Sequence, residues 1–434
     1  MMTVDAPPVR VNEISLVDFR GFEQLDLALP AGGLTVFAGV NGSGKSSILA
    51  AIASLLPAIP GIFAGIHKKW HPSNVDNIRH GADSGYRGLL LGIGDRDVGW
   101  GFREVHEGTP RSNGLAPDDP AWQPLSEMKE RLEAGEAVDL PVVTFLHASS
   151  TRERPVLLEP EVLHDRLAAY AGAFDIEADH FAALEEWFVR RENLENELKV
   201  TRRKLGLELP ELAAVRRAIT SFLELLRADD LKDLRAMRGP ADAPMAETSG
   251  RLVIHKGDTP LFLDQLSDGE RRLLVLVTDL ARRMAVANPH LDDPLTSPGV
   301  GLVDEIEMHL HPSWQRRVVP ALRATFPQMQ FILTTHSPQV LASVEDSAVV
   351  MLRDFQVVGG RRHVRGRDSN AILEEEMGTP SRPEEVAHRL RELYDAIDDR
   401  PKAARKLLAG LAEQLGADDP EVTRARALLD LVGA

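Results

Sequence analysis

Residues 34–56 read LTVFAGVNGSGKSSILAAIASLL: a compact apolar strand, a glycine-rich loop, and an apolar helical run that stops at Pro57. Within the loop, Gly39, Val40, Asn41, Gly42, Ser43, Gly44, Lys45 and Ser46 fit the spacing G-x-x-x-x-G-K-[ST]. The glycines let such a loop curl so that its N–H groups face a phosphate, and the following helix adds the positive end of its dipole. In this arrangement Lys45 reaches the β- and γ-phosphates, the Ser46 hydroxyl ligates Mg²⁺, and Ser47 lies beside them at the start of the helix. The stretch therefore predicts an α/β, P-loop core that binds a nucleotide.

Further along, VGLV (300–303) reads as an apolar strand ending in Asp304-Glu305. Asp304 ends an apolar strand, as the magnesium-side acid of a P-loop NTPase does, so it is expected to hold Mg²⁺ directly or through water. Glu305 is then the base for the water that attacks the γ-phosphate. Glu307 reads as structural or interfacial. His309 and His311 are two apart, which puts them on different sides of a helix, and the H-E-x-x-H zinc pattern is absent. They are expected to shape the loop after the strand. FILTT (331–335) is another buried strand, and it ends at His336.

The composition sets outer bounds. The chain has 434 residues, of which 43% are hydrophobic, and 50 basic against 66 acidic residues give a net charge of −16. That balance argues against a chain-wide nucleic-acid surface while allowing a local basic groove, at Arg202, Arg203 and Lys204 or at Arg361, Arg362, Arg365 and Arg367. With no cysteine, disulfides and cysteine-ligated metal sites are excluded. The N-terminus has no apolar h-region, and no run is expected to approach the roughly eighteen apolar residues of a spanning helix. The reading is a cytoplasmic protein with no membrane segment.

Strands are also expected over 11–29, 85–105, 142–146, 251–265 and 348–352, and helix over most of 160–238. Leu273, Leu276, Val277, Leu280 and Met284 form one helical stripe, stopped at Asn288-Pro289. The last 65 or so residues read as helical, with Ser381-x-x-Glu384 patterned as a capping box.

LSDGE (266–270), before that striped helix, resembles the signature pentapeptide of the ABC-type ATPases. In that superfamily the signature of one subunit closes over ATP held by the P-loop of another, which implies that Ser267 and Gly269 act in trans. Asp268 stands where a glycine is usual, and it is expected to turn away and cap its own helix. His336 resembles the switch histidine that contacts the γ-phosphate. VDFRGF (17–22) resembles a segment of chromosome-maintenance and break-repair ATPases whose arginine approaches the nucleotide, so Arg20 is a candidate, with a structural salt bridge as its other reading.

Taken together, residues 265–289, 304–341 and 367–386 resemble a bacterial family of stand-alone ABC-type ATPases, the PtuA-like ATPases of Septu and retron anti-phage systems. The resemblance is strong over roughly 1–56 and 250–385 and weak through the middle. It implies an ABC-type head with a β-rich lobe, a helical insertion and a helical C-terminal tail, divided as 1–150, 151–250, 251–360 and 361–434. It also implies ATP and Mg²⁺, a homodimer with ATP sandwiched between heads, and a separately encoded HNH-type (PtuB-like) nuclease, with nucleic acid met through the complex. No Q-loop glutamine follows residues 142–155, and the role of Arg152 stays open. Glu374, Glu375 and Glu376 read as a solvated helix face rather than a nuclease site. An ATPase of a DNA-repair or chromosome-maintenance assembly is the alternative, ahead of a transporter ATPase.

Overall fold

The computed structural model describes residues 8–64, 75–106, 111–113, 122–147, 166–174, 180–237, 250–360 and 363–432. By its internal contacts the chain divides into residues 1–366 and 367–434. In the first unit, β1 (Val9–Phe19) and β2 (Phe22–Ala28) pair antiparallel, and β3 (Leu34–Ala38) leads through the loop into α1 (Lys45–Leu55) and α2 (Ala58–Ala64). β4 (Ser84–Ile93), β5 (Arg96–Val105) and β6 (Arg111–Asn113) extend the first pair into a five-stranded sheet of order β2-β1-β4-β5-β6. After α3 (Gln123–Glu133) and β7 (Val142–Leu146) come the long helices α4 (His180–Thr201) and α5 (Pro210–Leu226). β8 (Leu231–Met237), β9 (Arg251–Lys256) and β10 (Thr259–Phe262) form a three-stranded antiparallel sheet.

The remaining elements complete the central layer. α6 (Asp268–Ala287) packs on α5, and β11 (Gly299–Val303), α7 (Val318–Thr325), β12 (Met329–Thr335), β13 (Val349–Arg353) and β14 (Gln356–Val357) follow. The central sheet runs β14-β13-β3-β12-β11-β7 and is parallel except at β14. β3, β11 and β12 are buried at every position, which is why they read as mainly apolar runs without the alternation of a half-exposed strand. Ala38 is level with Thr335, and Val303 with Leu333, so Gly39, Asp304 and His336 all leave the same carboxyl edge. Open α/β sheets bind ligands at that edge.

Residues 367–434 are a unit with their own core. There α8 (Glu384–Asp399), α9 (Pro401–Leu415) and α10 (Pro420–Val432) enclose Leu393, Ala404, Leu411, Val422 and Ala425.

Three sequence expectations are corrected. Residues 231–237 are a strand, not helix; a register shift between Lys232 and Arg235, with Asp233 at φ 57°, breaks the alternation that would have revealed it. Ser381 does not cap α8: Pro383 occupies the cap position, and the Ser381 hydroxyl donates to Glu374 instead. One stretch, Lys45–Ala64, is long and apolar enough to cross a membrane, contrary to expectation; Pro57 separates it into α1 and α2, and 72% of its apolar window is buried inside the protein.

Candidate functional site

The loop between β3 and α1 is held from outside. Gly44 has φ 102°, and a Cβ there would lie 2.6 Å from the Phe22 ring and 2.9 Å from that of Phe355. The two rings meet edge to face at 5.3 Å, and the Phe355 N–H donates to the Ser43 carbonyl (3.2 Å). Phe355 sits in the β13–β14 turn, where Asp354 and Phe355 both have left-handed φ (48° and 60°). Asn41, Gly42 and Ser46 are exposed along the rim of the loop, while Gly39, Ser43 and Gly44 are buried. The Ser47 N–H closes the first turn on the Gly44 carbonyl at 3.1 Å.

Lys45 is only 6% exposed, and its Nζ donates to the carbonyls of Gly39 (2.8 Å) and Val40 (2.9 Å). Burial lowers its pKa, against the opposing pull of Glu307, Glu305 and Asp304. The Ser43 Oγ is buried without a hydrogen-bond partner. An ammonium parked on its own loop and an orphaned hydroxyl beside a helix N-terminus are groups that an anionic ligand would satisfy.

Asp304 is 3% exposed. Its Oδ1 accepts from Ser46 Oγ (3.0 Å) and Thr334 Oγ1 (2.5 Å), and His147 Nε2 lies 3.6 Å from Oδ2. β11 and β12 are adjacent and parallel, so Thr334 stands beside the acid, and its Oγ1 also accepts the Glu305 N–H at 2.7 Å. Glu305 has φ 47°. The Ser46 hydroxyl and the Asp304 carboxylate supply oxygen alone, the donor chemistry that hard divalent cations take.

His336 follows β12, and a residue the sequence reading left aside anchors it. Glu307 is 4% exposed; its Oε1 accepts the His336 N–H (2.6 Å) and faces Nδ1 at 3.0 Å, while its Oε2 is buried without a partner. Burial pushes the Glu307 carboxyl up, but hydrogen bonds from His336 and Thr335 outweigh it and hold the pKa below the ordinary value. The same hydrogen bond raises the His336 pKa.

At the signature stretch, Ser267 caps α6. Its hydroxyl accepts the Glu270 N–H (3.4 Å) and donates to Glu270 Oε2 (2.7 Å), which also accepts the Ser267 N–H (3.0 Å). The cap expected of Asp268 is thus made by Ser267; Asp268 turns outward and pairs with Arg271 at 3.0 Å. Lys256 Nζ holds Glu270 at 2.7 Å. A Cβ on Gly269 would lie 2.3 Å from the His309 carbonyl oxygen, so the start of α6 abuts the loop that follows the acid pair.

Arg20 lies in the β1–β2 turn at φ 51°, with Nε on Asn77 Oδ1 (2.9 Å) and its N–H on the Asn77 carbonyl (2.7 Å). His311 caps the short helix Pro312–Gln315 through Ser313. Among the described residues no cluster of three or more histidines and acids could hold a metal ion. Arg152, Arg361 and Arg362 lie outside the described residues.

Residues 34–342 match the family described as "AAA domain, putative AbiEii toxin, Type IV TA system". "Retron Ec83 probable ATPase" of Escherichia coli is 35% identical over 237 residues, 52% of this chain and 41% of that protein. The match thus spans less than half the length of that relative. "Retron Vc95 probable ATPase" of Vibrio cholerae serotype O1 biovar El Tor is 24% identical over 445 residues, 92% of this chain and 85% of that protein. "Septu protein PtuA" of Bacillus mycoides (strain KBAB4) is 39% identical over 90 residues, 21% of this chain and 12% of that protein.

Proposed function

The chain belongs to this AAA-domain family, and on that premise we propose that it binds and hydrolyses ATP as a dimeric switch in bacterial anti-phage defence. The observation that carries the chemistry is the Asp304 carboxylate, shared between Ser46 of the loop and Thr334 of the neighbouring strand, with Glu305 directly after it. Lys45, largely stripped of water, exchanges the Gly39 and Val40 carbonyls for β- and γ-phosphate oxygens. The N–H groups of the loop from Gly39 to Ser47 line the phosphates, and the Ser43 hydroxyl gains the acceptor it lacks. Ser46 and Asp304 would hold magnesium, which when bound neutralises charge on the β- and γ-oxygens. Glu305 takes the proton of the attacking water as the bond from the γ-phosphorus to its bridging oxygen breaks and ADP leaves with the electron pair.

His336, held by Glu307, faces the γ-phosphate position and distinguishes ATP from ADP in this reading. Arg20 serves at the rim through its turn beside Phe22. Ser267 and Gly269 act on the nucleotide of the second subunit, so that the homodimer closes around two ATP molecules. The retron and Septu relatives support the defence setting, and with it an HNH-type partner nuclease that meets nucleic acid in the complex, in the cytoplasm. Within the division 1–150, 151–250, 251–360 and 361–434, the second and fourth segments are the partner surfaces in this reading, because the hydrolytic residues draw on neither.

One observation favours a second reading, an ATPase of a DNA-repair or chromosome-maintenance assembly. Arg202, Arg203 and Lys204 are all exposed at the turn after α4, beside Val200 (76% exposed) and Leu205 (87%). The test uses Glu305→Gln, which binds ATP and stalls before hydrolysis, expressed with its native gene neighbours in ATP and Mg²⁺. A small HNH-type protein recovered at stoichiometric yield supports the defence switch; repair proteins or DNA in its place support the second reading.

A further inference from the structure

Glu305 stands in a left-handed backbone conformation, φ 47°, which residues with a Cβ rarely adopt and which persists only where the surroundings hold it. The peptide plane before it is gripped at both edges. Thr334 Oγ1 accepts the Glu305 N–H at 2.7 Å, and Arg272 Nη2 donates to the Asp304 carbonyl at 2.5 Å. Thr334 belongs to the strand beside the acid. Arg272 comes from the first turns of α6, five residues after Ser267.

That guanidinium is only half used. Its Nη1 is buried with no hydrogen-bond partner, a rare state for so strong a donor. The carboxylates of Asp304, Glu305 and Glu307 bear on it, while burial lowers its pKa. A second contact fixes the same end of the helix to the same loop, the bare Gly269 against the His309 carbonyl. The Ser267–Glu270 capping box and Lys256 hold that end rigid. Ser267, Gly269 and Arg272 thus share one helix end, and from it Arg272 bonds the peptide that leads into Glu305.

We propose that Arg272 is the positioning residue for Glu305, holding the Asp304–Glu305 peptide in its left-handed turn from the signature helix and linking the state of that helix to the aim of the base. This rests on the reading of Glu305 as the base. Arg272 touches neither nucleotide nor water in this role. Its free Nη1 is the donor that engages the acid cluster once the site is filled, so one hydrogen bond from another residue type reproduces only part of its action.

The experiment compares full-length wild type, Arg272→Met, Arg272→Lys and Glu305→Gln in steady-state ATP hydrolysis, with binding of a fluorescent ATP analogue measured separately. Glu305→Gln tests the base: hydrolysis at the wild-type rate there removes the underlying reading itself. With that control inactive, Arg272→Met is expected to lower kcat about tenfold to a hundredfold with KM and nucleotide affinity unchanged, and Arg272→Lys to recover part of the loss. A wild-type kcat in Arg272→Met overturns the positioning role alone. So does a parallel loss of kcat and nucleotide affinity with lysine no better than methionine, the pattern of a merely structural residue. If the methionine variant does not fold, the lysine variant decides: a several-fold lower kcat at unchanged KM sustains the role, and a wild-type kcat ends it.

Discussion

Among the buried groups of charge in the first unit, two are built on opposite principles. In the five-stranded sheet, Arg87 and Glu104 are 2% and 1% exposed and pair at 2.8 Å, with the guanidinium over the rings of Phe19 and Phe102. The guanidinium reaches the carboxylate diagonally across two regular strands, with Arg87 opposite Phe102 and Glu104 opposite Gly85. At the carboxyl edge of the central sheet, Lys45 and Arg272 face Asp304, Glu305 and Glu307. Three buried polar atoms there, Ser43 Oγ, Arg272 Nη1 and Glu307 Oε2, lack partners, and Glu305 and His309 take left-handed φ. The first group is balanced in charge, with Arg87 Nε its one buried atom lacking a hydrogen-bond partner, and it serves the fold. The second has a surplus of carboxylate, several orphaned atoms and strained backbone, which is how a site for a further charged species differs from a salt bridge.

Substitution can separate the two groups. Glu305→Gln is expected to lower ATP turnover by about a thousandfold while leaving thermal stability near wild type, read by phosphate release and a melting curve. Arg87→Met should do the reverse: it leaves a buried carboxylate without its cation and destabilises by about 3–5 kcal/mol, measurable by urea titration, with turnover per folded molecule unchanged. If Arg87→Met changed kcat as well, the lobe would be coupled to the chemistry and the contrast would fail.

Two further substitutions sharpen the division. Ser267→Arg is expected to stop hydrolysis and leave ATP binding to the P-loop intact, by equilibrium dialysis; loss of binding as well would place Ser267 at the nucleotide of its own chain. The slightest effect is one of pH. The raised pKa of His336 gives stability that is complete below its ordinary value of 6.5 and lost as pH rises through the higher folded value. The lowered pKa of Glu307 gives stability that is complete above 4.5 and lost as pH falls through the depressed one. Glu307→Gln should flatten both flanks of the stability–pH curve, and a profile identical to wild type would break the pairing.

What the chain discloses in one dimension follows the range of each contact. The strand, glycine-rich loop and helix over residues 34–55 were legible because their signals are local: an apolar run, then glycines, a lysine and a hydroxyl within eight positions, then a second apolar run. Asp304 was legible from its place at a strand end. Glu307 was not, since its partner His336 lies 29 positions away and only the pairing of β11 with β12 brings them together. Arg272 was missed for a related reason. Arg271 and Arg272 look alike in sequence, and only the docking of α6 turns one toward Asp268 and the other toward the Asp304 carbonyl. The Ser267 cap could have been found, because Ser267-x-x-Glu270 has the same pattern as the Ser381 stretch that failed; at Ser381 the intervening Pro383 takes the cap position itself.

The two aromatic rings on the phosphate loop bear on its thermodynamics. A glycine-rich segment free in solution samples many shapes, and a ligand that selects one of them sacrifices affinity to that selection. Here Phe22 and Phe355 close off the space beside Gly44, and the Phe355 N–H pins the Ser43 carbonyl. The loop is ordered during folding, so the entropy of ordering it is charged to the stability of the fold and not to the capture of nucleotide. Preorganisation of this kind leaves more of the energy of each loop contact available as affinity.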